Sequence, residues 1–167
     1  MITSGLFDPT GAASPDLNGV ESRLLRAMLR LEPRHVAILG DLLGLQDTTS
    51  ERVKQWERSA ERGYPPQLVT LLRSLQQPVE AVGEHLAARA VHRDGITTIP
   101  RPKDAARIAF RGDLASLLPS GLSDEGVQRL DDGGGDFWAR LCDSALCRAA
   151  DLLSSTSYRI HVELSDV

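Results

Sequence analysis

Hydrophobic and polar positions follow a helical period over most of this chain. From Val20 to Leu31, apolar residues fall at Val20, Leu24, Met28 and Leu31. Leu25 and Leu29 widen that face, and Arg23, Arg26 and Arg30 fill the polar side, so the spacing predicts a first helix. Pro33 suits the first turn of a second helix, which continues through Val36, Ala37, Leu39 and Leu43 to a stop at Gly44. Leu45 to Thr48 reads as a turn, and Thr48 with Glu51 has the capping-box spacing that starts a third helix. Gly63-Tyr-Pro-Pro66 breaks the chain. A fourth helix then carries Leu68, Leu71, Leu72 and Leu75, and a fifth, after Pro78, carries Val79, Val82, Leu86 and Val91.

The pattern changes after His92-Arg-Asp-Gly95. Ile96 to Ile99 reads as a short strand closed by Pro100 and Pro102. Lys103 to Leu118 is helical at least in part, and Pro119 to Gly135 is loop-rich, with Asp131-Asp-Gly-Gly-Gly-Asp136 near its end. Phe137, Leu141, Ala145, Ala149 and Leu153 form a ladder of helical spacing. Tyr158, Ile160, Val162 and Leu164 then alternate strictly with polar residues, as on a half-buried strand. The expected fold is mainly α with a small α/β C-terminal domain. A flexible arm over residues 1–18, rich in Gly, Pro, Ser and Thr, precedes a five-helix domain over 19–92 and a strand–helix–helix–strand domain over 95–167.

Composition narrows this picture in two ways. Aromatic residues make up only 4% of the chain, so its core must be built from Leu, Val and Ala, which favours helices. The net charge of −4 argues against a strongly basic, nonspecific nucleic-acid binder. Its distribution tempers that: residues 21–93 carry eleven Lys and Arg against nine Asp and Glu, whereas residues 94–167 carry eight against twelve. Cys142 and Cys147 read as buried, reduced thiols of a cytoplasmic protein, since two cysteines make no disulfide framework. No apolar run approaches the ~18 residues of a membrane span, and no secretory signal is visible.

The segment most suggestive of function is Thr49-Ser-Glu-Arg-Val-Lys-Gln-Trp-Glu-Arg58. Val53 and Trp56 make its apolar side, while Glu51, Lys54, Gln55 and Arg58 share the opposite stripe. Long polar side chains on a small helix can read base edges, Lys at guanine and Gln at adenine. Such a stripe is also what an ordinary solvated helix face looks like.

At this point the chain resembles the λ-repressor-like (Cro/C1, xenobiotic-response-element) helix-turn-helix class. The resemblance lies in Leu31-Glu-Pro-Arg-His-Val-Ala37, Leu42-Leu-Gly44, Ser50-Glu-Arg-Val-Lys-Gln-Trp-Glu57 and Pro65-Pro66 with the leucine helix that follows. Residues 95–167 are similar, by order of elements alone, to the dimerisation domain of anti-CRISPR-associated autoregulators. The chain departs from the pattern in a second helix about one turn longer, through Ile38–Asp41, and in extra turn residues Gln46–Thr48. It also has Pro33 where a phosphate-contacting Gln is common, and Arg58 to Arg62 before the glycine at 63.

The resemblance implies that Ser50, Glu51, Lys54 and Gln55 read bases. It implies that Arg34, Thr49, Arg58 and Arg62 meet phosphates, and that Ala37, Val53 and Trp56 hold the motif together. Ile96, Ile99, Tyr158, Ile160, Val162 and Leu164 would pair two copies, since two strands are too few for a stable sheet. The expected partners are double-stranded DNA and a second copy of the chain, with no cofactor, no metal and no membrane. His35, His85, His92 and His161 form no ligand spacing, the Asp131–Asp136 segment lacks the alternation of a calcium loop, and no catalytic motif is present. The function expected is a dimeric, sequence-specific transcriptional repressor rather than an enzyme. The alternative is an antitoxin-like or phage-derived interaction module with a degenerate helix-turn-helix.

Overall fold

A computed structural model describes residues 16–102, 104–132, 137–154 and 159–162. Within them the chain is mainly helical, with seven helices and one small three-stranded sheet. The order is α1 (Gly19–Met28), α2 (Pro33–Leu42), α3 (Ser50–Arg58), α4 (Pro66–Ala88), β1 (Val91–Arg93), β2 (Ile96–Ile99), α5 (Asp104–Leu117), α6 (Asp124–Asp132), α7 (Phe137–Ser154) and β3 (Arg159–Val162).

The long helix α4 is the axis of the fold. Leu68, Leu72 and Leu75 near its start and Val79 and Leu86 further on are buried in one cluster, with Leu141, Ala145 and Ala149 of α7 in the same core. That cluster also takes Leu29 of α1, Val36 and Leu39 of α2, Val53 of α3, and Phe110 and Leu114 of α5. The core therefore runs continuously through residues on both sides of the 92–95 junction.

Five sequence expectations are corrected here. The fourth and fifth helices are one helix with Pro78 inside it. A mid-helix proline has no N–H for the carbonyl four residues back and costs ~3 kcal/mol. Burial of α4 on both sides of Pro78 offsets that cost. Val91 belongs to β1 rather than to a helix, and it adds a third strand to the two expected. The C-terminal order is strand–helix–helix–helix–strand, because α6 forms inside the segment read as loop. Ser123 caps α6, its hydroxyl accepting from the Gly126 N–H at 3.1 Å, and Leu130 is fully buried. Helix α3 is capped by Thr49, whose side chain accepts from the Arg52 N–H, while the Thr48 hydroxyl donates to the Leu45 carbonyl.

The fifth correction concerns which face of α1 turns inward. Leu25 and Leu29 are buried, but Val20, Leu24 and Met28 are 64, 59 and 63% exposed. The small residues decide the orientation. Ser22 is buried and its hydroxyl accepts from the Tyr64 N–H at 2.9 Å. Gly19 lies against the end of α3: a Cβ there would meet the carbonyl oxygens of Ser59, Trp56 and Glu57, the last two at 2.5 and 2.7 Å. Gly19→Ala is therefore expected to destabilise the chain by about 2 kcal/mol, the scale of an overpacked core, because backbone must move. Thermal unfolding measures this, and an unchanged midpoint would refute the close packing.

The sheet has the order β1-β2-β3, with β1 and β2 antiparallel and β2 and β3 parallel. Asp94 and Gly95 both take left-handed φ, 52° and 75°, the backbone of a two-residue hairpin turn. Thr97 and Ile99 face the core at 2 and 0% exposure, whereas Val91 and Ile96 lie outward at 61 and 42%.

Candidate nucleic-acid interface

Helix α2 ends at Leu42, Gly44 takes φ 78°, and seven residues lead to α3. Asp47, at φ 54°, helps turn the chain within that connection. Helix α3 is then seated from one side only. Val53 is fully buried, Trp56 is half-buried against the core, and the Trp56 ring meets the Tyr64 ring edge-on at 6.1 Å. Arg52 lies over the indole, 5.7 Å from its centroid. Trp56, expected in the core, is thus a half-covered wedge.

The firmest anchor of α3 is a residue that carries no role in the sequence reading. Glu57 accepts from Arg26 Nε and Nη2 at 2.6 and 2.9 Å, and from the Tyr64 hydroxyl. Arg26 also donates to the Leu31 carbonyl at 2.7 Å. The Glu57 side chain is only 7% exposed. Burial alone pushes its carboxyl up, but the hydrogen bonds from Arg26 and Tyr64, with the charges of Arg26 and Arg23, outweigh burial and leave it lowered. The hydrogen bond to Glu57 correspondingly raises Arg26. Burial and the Glu57 hydrogen bond push the Tyr64 phenol well above its ordinary value. Three segments, α1, α3 and the chain at Tyr64, are thereby locked through one carboxylate.

The opposite side of α3 is open. Glu51, Lys54, Gln55 and Arg58 are all exposed, and no element among the described residues covers them. Lys54 donates to Glu51 at 3.1 Å and Gln55 accepts from Arg52 at 3.2 Å, both within one helical turn. Exposed pairs of this kind contribute only ~0.3–0.5 kcal/mol and exchange readily for another partner. Ser50 is half-buried at the helix start, Thr49 is exposed beside it, and Arg62 is exposed beyond the helix. Ala37 is buried in α2 at 7% exposure, under the same corner.

Arg34 is exposed near the start of α2 and pairs with Glu32 at 3.0 Å, and Arg140 of α7 reaches the same carboxylate at 2.5 Å. A cavity of about 560 Å³ separates this corner from α6, lined by Arg34, Thr49 and Ser50 on one side and Glu125, Arg129 and Asp132 on the other. Arg129 ties α6 to α2 through Asp41 at 2.6 Å. Helix α6 carries Asp124, Glu125, Asp131 and Asp132 against Arg129 alone, so an acidic helix flanks the N-termini of α2 and α3.

Of the residues expected to pair two copies, Ile99 is wholly buried in the chain's own core and Ile96 is exposed. Ile160 and Val162 are half-buried, and Tyr158 and Leu164 lie outside the described residues. The third strand and the core beneath Ile99 give the sheet its support within one chain. Cys142 is buried and Cys147, expected to be buried too, is exposed; both are free. Among the described residues no three His, Cys, Asp or Glu side chains converge to hold a metal, and no helix is long and apolar enough to cross a membrane.

No protein-family model matches the chain, and no curated protein or solved structure matches it significantly.

Proposed function

We propose that the chain is a cytoplasmic, sequence-specific DNA-binding regulator of the λ-repressor-like helix-turn-helix class, acting as a repressor. The observation that carries this reading is the asymmetry of α3. Val53, Trp56 and Glu57 seat the helix, and Glu51, Lys54, Gln55 and Arg58 face solvent together. A helix held from one side with long polar side chains on the other is what the major groove admits. Arg58 and Arg62 would take phosphates, and Arg34 and Thr49 would add the helix N-termini. Two copies would present two reading helices to an inverted repeat, with half-sites about 34 Å apart. Among the described residues, the exposed apolar side chains available for that pairing are Val91 and Ile96 on the sheet, Val20, Leu24 and Met28 on α1, Ile108 on α5 and Leu152 on α7.

Selection of bound fragments from a random DNA pool tests the reading. A recurrent motif, with affinity that falls steeply as salt rises, is the expected result. The absence of binding at any ionic strength would instead favour a protein-interaction module, antitoxin-like or a phage-derived adaptor. That second reading draws support from one feature, the carboxylates of α6 beside the N-termini of α2 and α3.

The same carboxylates set a prediction for the regulator. Phosphate approaching Arg34 and Thr49 meets Glu125 and Asp132 across the cavity. Glu125→Gln with Asp132→Asn is expected to tighten DNA binding several-fold at low salt, with the gain fading as salt approaches 1 M and screening shortens to ~3 Å. Fluorescence anisotropy against salt checks both halves. An unchanged affinity at low salt would place the DNA away from α6.

A further inference from the structure

A second cavity, of about 710 Å³, lies between α4 and α5 and shares no residue with the face of α3. Its walls are apolar along the middle, with Val82 and Leu86 of α4 opposite Ala106 and Ala109 of α5. The hairpin determines how its ends differ. Val91 pairs with Thr98, so the chain leaving β2 returns beside the C-terminal end of α4. Arg101 therefore lies at the same end as Arg89 and His85, and α5 runs back along α4 until Asp113 and Gln77 close the far end. Both arginines are exposed, and no ion pair among the described residues neutralises either guanidinium.

We propose that this slot binds an amphipathic monocarboxylate, a small acid with an unbranched or aromatic apolar body. The body lies along Val82, Leu86 and Ala106, and the carboxylate meets Arg89 and Arg101. The size is that of a small-molecule site, with a mostly apolar lining and a few polar groups confined to its two ends. Charge selects within that class. A cationic amphiphile would be repelled by two guanidiniums, and a neutral one would gain no charge-assisted hydrogen bond from them. A carboxylate accepts charge-assisted hydrogen bonds from them, the strong kind. A second acid group at the other end of the ligand would meet Asp113, so a monoacid is selected over a diacid.

Decanoate is the probe, titrated into the full chain by calorimetry, with decan-1-ol and decanedioate as comparators. Saturable binding of one decanoate per chain is expected, with at least tenfold weaker binding of either comparator. Arg89→Ala with Arg101→Ala should weaken decanoate at least tenfold and leave decanol unchanged. Ala109→Trp, at an exposed position of the wall, should abolish binding while circular dichroism and the unfolding midpoint stay as in the parent. No saturable binding, equal binding of decanol, or binding indifferent to both variants overturns the proposal. So does sedimentation showing a dimer that Ala109→Trp dissociates, since a second copy would then be the occupant. None of these failures touches the DNA-reading proposal, which involves other residues.

Discussion

Replacing Glu57 by alanine is expected to cost about 3 kcal/mol of folding stability, the scale of breaking one side of a buried ion pair. For a chain of this size that lowers the unfolding midpoint by about 10 °C. The size of the effect follows from what is left behind. Arg26 Nε and Nη2 and the Tyr64 hydroxyl all donate to this carboxylate, and without it a largely buried guanidinium keeps only the Leu31 carbonyl and a buried phenol loses its acceptor. Glu57→Gln keeps an acceptor oxygen but removes the charge, so its loss should be smaller. Acid adds a second readout. The folded carboxyl is lowered, so its contribution is fully present above the ordinary glutamate range and is lost as pH falls through the folded value. The parent should lose stability on that limb, and Glu57→Gln should show a flatter one. A midpoint unmoved by Glu57→Ala would remove the lock on α3, and with it the reason the reading face is rigid.

The contrast between what the sequence told and what it hid is clearest on α1 and α3. In α3 a single buried aliphatic, Val53, and one aromatic define the inner side, so the opposite stripe could be drawn from spacing alone. In α1 two leucine-rich stripes overlap, and periodicity cannot choose between them. The choice rests on Gly19 and Ser22 meeting backbone of residues 56–64, a contact between segments some forty residues apart. Thr48 and Thr49 are chemically equivalent caps. Only the turn shows that the Thr48 hydroxyl is already used by Leu45. Pro78 marks a helix end by local propensity, and burial against α7 overrides it.

The candidate site was hidden in a different way. Glu57 stands beside Trp56 as an ordinary surface residue until Arg26 and Tyr64 are brought to it by the fold. Helix α6 did carry a local signal. Ser123 followed by Asp124 and Glu125 is an N-cap with an acidic first turn, ahead of Val127 and Leu130 at helical spacing. At nine residues it has too little propensity to stand alone, and packing against α2 and α7 supplies the rest. Its position opposite Thr49 could not be read from either segment.

Lys54→Ala with Gln55→Ala is expected to leave folding unchanged and to erase most of the preference for the cognate DNA site. Both side chains are exposed, and the pairs they make with Glu51 and Arg52 are single surface contacts, so the folded state loses only a few tenths of a kcal/mol. In the proposed complex each side chain faces a base edge, and each bidentate contact contributes ~1–3 kcal/mol of discrimination. Losing both should reduce the ratio of cognate to random affinity by at least about thirtyfold, while random-sequence affinity barely moves. Arg58→Ala supplies the counterpart. A phosphate contact carries no sequence information, so this change should weaken cognate and random DNA alike and reduce the salt slope by about one. Competition titrations at two salt concentrations separate the patterns. If Lys54 and Gln55 were only a solvated face, the double variant would discriminate as well as the parent. The outward stripe of α3 would then be ruled out as the reading surface, however well the helix is held.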